Sequence, residues 1–118
     1  MSRMLPVLAA VAVALATPAA AELSKVNSAA EFKNIVSGKT LARPLVRLNV
    51  GSNGMISGRG ATWDISGNWT WKNGYFCRSL EWGGDDLGYD CAEVKASASK
   101  IRFTTKQGAG DSADFSLR

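Results

Sequence analysis

The stretch Asn68-Trp69-Thr70-Trp71-Lys72-Asn73-Gly74-Tyr75-Phe76-Cys77-Arg78 decides the fold. Asn73-Gly74 joins two runs rich in aromatic and β-branched residues. Both turn residues tolerate the positive φ of a two-residue hairpin turn, so the segment reads as two antiparallel strands. Trp69 and Trp71 lie two apart and share one face of the first strand. In the second strand Phe76 and Cys77 are adjacent, so an alternating strand cannot send both inward. At least one large aromatic of this hairpin is therefore expected to be exposed.

Working outward from the hairpin, the same period of two recurs. Val46, Leu48 and Val50 alternate with Arg47 and Asn49, the pattern of a half-buried strand. Ser52-Asn53-Gly54 reads as a turn. Met55 to Gly58 and Thr62 to Ile65 read as short strands about a glycine-rich kink at Gly58-Arg59-Gly60. Tyr75 to Trp82 follows the Asn73-Gly74 turn, Gly83 to Asp86 loops, and Tyr89 to Lys95 returns. Lys100 to Thr105 places Ile101 and Phe103 opposite Arg102 and Thr104, and Ala113 to Leu117 closes with Phe115 and Leu117 on one face. About eight short strands joined by tight turns make an antiparallel meander. Such a mainly β chain closes into a small barrel or folds as a curved sandwich. Gly51, Gly58, Gly60 and Gly67 suit the bends that closure needs.

Only one helix is expected. Ser28-Ala29-Ala30-Glu31 fits a capping box, Phe32, Ile35 and Val36 follow at helical spacing, and Gly38 is a stop signal. The spacing predicts a helix over Ala29 to Ser37, with residues 22 to 27 as a loose lead-in. A helix this short is marginal alone, so its Phe32 face must dock, plugging or flanking one end of the β structure.

Before the helix, Arg3 and the apolar run Leu5 to Ala16 read as a secretory signal, broken at Thr17-Pro18 and followed by Ala19-Ala20-Ala21. The run is shorter than the roughly 20 residues that span a bilayer. Cleavage after Ala21 leaves residues 22 to 118 as one periplasmic or secreted domain, without stable membrane insertion. Cys77 and Cys91 are the only cysteines, and export would place them in an oxidising compartment, so they are expected to pair. Without histidine they make a poor zinc site, and their spacing is not that of a C-x-x-C redox pair.

The remaining chemistry is spare. Loss of Arg3 leaves 13 basic against 10 acidic residues, scattered along the chain, which gives no basis for nucleic-acid binding. Asp85, Asp86 and Asp90 cluster near Cys91 but lack the spacing of a calcium loop; pairing with Arg78 across the hairpin is an alternative. The absence of histidine removes the usual general base and the nucleophilic triads. Glu81 and Asp90 could in principle act as acid and base, but nothing in their spacing singles them out. The glycines at 58 and 60 lack the third glycine and the helix of a dinucleotide cradle. No catalytic residue, metal or cofactor is assigned.

The motifs Gly67-Asn68-Trp69-Thr70-Trp71, Gly74-Tyr75-Phe76-Cys77-Arg78 and Gly88-Tyr89-Asp90-Cys91, with the late Ile101-Arg102-Phe103, resemble the G-x-W-x-W, G-Y-F-C-R and G-Y-x-C pattern of a group of short exported alphaproteobacterial proteins. The resemblance runs from about Phe32 to Leu117. Some members of that group carry the label dihydrodipicolinate reductase, which implies a nicotinamide-binding Rossmann protein with histidine and lysine in its catalytic motif. This chain has none of those parts. The reading is a non-catalytic β module that binds a small ligand or an envelope protein through an aromatic face, with Trp69, Trp71, Tyr75 and Arg78 as the contact cluster. An enzyme and an inhibitor of an exported hydrolase are the alternatives.

Overall fold

The structure, a computed structural model, describes residues 22–118; the signal-like segment and its cleavage site lie outside the described residues. Nine strands and one α-helix follow in chain order: β1 (Ser24–Lys25), α1 (Ala29–Val36), β2 (Leu41–Arg43), β3 (Val46–Val50), β4 (Met55–Gly60), β5 (Trp63–Lys72), β6 (Tyr75–Trp82), β7 (Asp85–Ala96), β8 (Lys100–Thr104) and β9 (Ser112–Leu117). Strands β2 to β9 pair each with the next, and β9 pairs back onto β2 through Leu41↔Leu117 and Ala42↔Ser116. The result is a closed, eight-stranded antiparallel barrel, with β1 as a short addition along β7. Closure leaves no long edge unpaired, which resolves the choice between barrel and open sandwich.

The hairpin at Asn73-Gly74 forms as its sequence demands. Both residues have positive φ, 54° and 86°, and Lys72 pairs with Tyr75 across the turn. The Gly58 to Gly60 segment is not a kink. It lies within β4, and the turn falls at Ala61-Thr62, with Ala61 at φ 56°. Likewise Ser66-Gly67 does not interrupt the next strand; β5 runs unbroken for ten residues. These glycines serve close approach instead. A Cβ on Gly67 would collide with the Ser79 carbonyl, and one on Gly60 with the Trp82 ring. The indole of Trp82 lies against Gly60 and donates Nε1–H to its carbonyl at 3.1 Å.

The helix plugs the barrel. Ser28 Oγ accepts from the Glu31 amide at 3.1 Å, while the Glu31 carboxylate accepts from the Asn27 amide at 2.9 Å, one residue earlier than a strict capping box places it. Phe32 and Val36 are buried on the inner face of α1. Phe32 is fully buried among Trp69, Trp71, Phe76 and Phe103, with ring centroids 5.0, 5.4, 5.1 and 6.4 Å away. The lead-in is not loose: Ser24–Lys25 pairs with β7, and Val26 is buried and donates its amide to the Val94 carbonyl.

Parity along the strands then fixes what faces the interior. Phe76 faces Trp71 and Cys77 faces Thr70, so Phe76 points in and Cys77 out. Cys77 and Cys91 are directly opposed across β6 and β7 and form a disulfide on the outer wall. Cys77 is nonetheless fully buried, and no aromatic from Asn68 to Arg78 is among the exposed large residues, contrary to expectation. The exposed aromatic nearby is Tyr89 on β7, its hydroxyl 3.5 Å from Cys91 Sγ. On the last hairpin, Arg102 and Asp114 pair outward through two hydrogen bonds of 2.6 and 2.9 Å.

Candidate functional site

The barrel has two unlike ends. At the helix end, the aromatic cluster fills the lumen. At the other end lie the turns β2–β3, β4–β5, β6–β7 and β8–β9, and no element covers them among the described residues. Between the two, the lumen holds a cavity of about 250 Å³. Phe76 and Phe103 belong both to the aromatic cluster and to this cavity's lining, so they form its floor. Leu41, Leu48, Leu80 and Phe115 make much of its wall. A second hollow of about 480 Å³ opens at the uncovered end against Leu45, Trp82 and Leu87, and shares Leu48, Leu80 and Phe115 with the first. Trp63 and Leu87, both among the exposed large apolar residues, sit beside Trp82 at this rim.

Polar groups enter the 250 Å³ cavity in one sector, formed by Arg78, Asp90, Thr105, Asp111 and Ser112. Arg78 stands on the inner face of β6 between Phe76 and Leu80, paired in register with Trp69 and Asp90. Its Nη1–H donates to the Gly88 carbonyl at 2.9 Å, and it makes no ion pair within 4.0 Å among the described residues. The cross-hairpin pairing with a carboxylate does not form. Both oxygens of Asp90 instead accept from the Lys106 amide, at 3.1 and 3.3 Å, which ties β7 to the β8–β9 turn. That turn holds Lys106 and Gln107 at φ 54° and 56°, uncommon for residues with a Cβ.

The four residues expected to form a contact cluster do not share one surface. Trp69 is buried, packs on Phe32 and donates Nε1–H to the Gly51 carbonyl at 2.9 Å. Trp71 is half-buried and stacks on Phe32. Tyr75 lies one residue before inward Phe76 and therefore on the outer wall, while Arg78 lines the lumen. Glu81 is exposed and lies in an outer hollow with Tyr89, whereas Asp90 lines the lumen, so these two carboxylates do not meet. Asp86 Oδ1 accepts from the Gly88 amide at 2.7 Å at the start of β7, where the pairing with β6 shifts register. Among the described residues no three potential metal ligands come together.

Of the luminal ring of Leu48, Leu80, Ala92, Ala113 and Arg78, the sequence marks only Arg78 as a contact residue, and on an aromatic face instead of in a lumen. Parity held the signal: once Phe76 points inward, Arg78 and Leu80 must do so as well. No protein-family model matches the chain, and no curated protein or solved structure is significantly similar to it.

Proposed function

We propose that this protein is an exported, non-catalytic carrier or sensor of a small molecule, held inside the barrel and not on an aromatic face. One observation carries the reading: an apolar lumen of about 250 Å³ remains above a packed aromatic floor. A small barrel ordinarily fills its interior with side chains. At the roughly 30 Å³ that one water takes in the liquid, the space equals about eight waters, room for a small ligand. It is smaller than drug-sized sites of about 300 Å³ and above. The aromatic face is an unsuitable site because its indoles pack against Phe32. The Cys77–Cys91 disulfide supports residence outside the cytoplasm.

Calorimetric titration of the purified protein with octan-1-ol tests the reading. Saturable one-to-one binding is expected, lost in Ala113→Phe, whose ring would occupy the lumen beside Phe103 and Phe115. Binding that survives in a folded Ala113→Phe protein would place the ligand elsewhere, and no binding to the wild type would reject the reading.

A further inference from the structure

The geometry points to a specificity for anionic ligands: Arg78 reads a carboxylate or a like oxyanion on a molecule whose apolar body lies along Leu41, Leu48 and Phe115. This rests on the luminal site proposed above and adds the chemical class of its occupant.

Arg78 occupies a position that packing alone would give to an aliphatic side chain, as at its inward neighbour Leu80. A guanidinium is a fixed positive charge with five N–H donors in a planar fork. Here one hydrogen bond, to the Gly88 carbonyl, is its only one among the described residues. Arg78 is half-buried, so the part of its fork not bonded to Gly88 stays open to the lumen. The protein's own carboxylates do not take it. Asp90 stands opposite in register but makes no ion pair with Arg78 within 4.0 Å, its carboxylate turned to the Lys106 amide, and Asp111 is exposed at the rim. An oxyanion entering the lumen can therefore take the unused part of the fork, and two parallel N–H···O bonds would fix its orientation. The fork acts alone in this sector: the Thr105 hydroxyl is engaged with the Asp111 backbone and the Ser112 hydroxyl with Thr104. The two carboxylates also make a definite rival: if Asp90 and Asp111 set the local field, an amine would be preferred.

Three probes of equal chain length separate these outcomes: octanoate, octan-1-ol and octylamine, titrated at neutral pH and moderate salt. Octanoate should bind at least about tenfold more tightly than octan-1-ol, the worth of a charge-assisted hydrogen bond. In Arg78→Met that preference should collapse to within about threefold, with the affinity for octan-1-ol retained. The retained alcohol binding shows that the variant is folded, and Arg78→Lys should recover part of the preference. Equal binding of octanoate and octan-1-ol, or tighter octylamine, would overturn the anionic specificity while leaving the luminal site standing. Failure of all three probes would remove both. Should Arg78→Met not fold, the order of the three probes on the wild type still decides.

Discussion

Replacing Phe32 by alanine tests whether the helix is a plug or an ornament. Phe32 is fully buried and touches four aromatic rings, two of which form the floor of the lumen. Truncating a buried phenylalanine costs about 3–5 kcal/mol, because the lost transfer energy is joined by the cavity left behind. The upper half of that range is expected here. The surrounding rings are anchored on strands of a closed barrel and cannot collapse into the gap, and helix α1 keeps only Val36 as a second fully buried anchor. Eight residues of helix cannot persist without docking. A loss of about 4 kcal/mol in a domain of this size corresponds to a fall in Tm of about 15–30 °C. Urea unfolding followed by tryptophan emission measures both consequences: the midpoint falls, and native emission shifts to the red as water reaches Trp69 and Trp71. Phe32→Leu should lose less, since it fills most of the space and forgoes mainly the ring–ring terms of about 0.5–1.5 kcal/mol each. A loss below about 1 kcal/mol for Phe32→Ala, with unchanged emission, would refute the plug.

Two further perturbations follow from the outer wall. Cys77→Ser should lower stability under oxidising conditions by about 3 kcal/mol, the chain-entropy value for a loop of this length, as read by urea midpoints with and without reductant; identical midpoints in reduced and oxidised wild type would contradict it. The hydrogen bond from Arg102 holds the Asp114 carboxyl below its ordinary range; burial opposes it, and the charge of Arg102 adds a smaller pull in the same direction as the hydrogen bond. A lowered folded value means that this contribution is complete above the unfolded carboxylate's pKa of about 3.9 and is lost as pH falls through the folded one. Asp114→Asn should therefore be less stable than wild type at neutral pH, with a gap that narrows on acidification below about pH 3.9; a gap that persists unchanged into strong acid would deny the ion pair its role.

What the chain settles locally was legible before any fold was known. The Asn73-Gly74 turn, the alternation from Val46 to Val50 and from Lys100 to Thr104, the Ser28 cap and the Cys77–Cys91 pair all depend on neighbours within a few residues or on simple elimination, and all are present. What joins distant residues was not legible. Strand β2, the three residues Leu41–Arg43 before Pro44, is too short to show a period, yet its pairing with β9 closes the barrel. The glycines of β4 and β5 read as breaks, because the sequence does not say which backbone or indole will pass beside them. Arg78 read as a surface contact for the same reason. Whether it faces solvent or lumen depends on register across β5, β6 and β7, and a shift of one residue would have reversed it. Local periodicity is written in the order of residues. Inside and outside exist only once the sheet has closed on itself, and the lumen belongs to that closure.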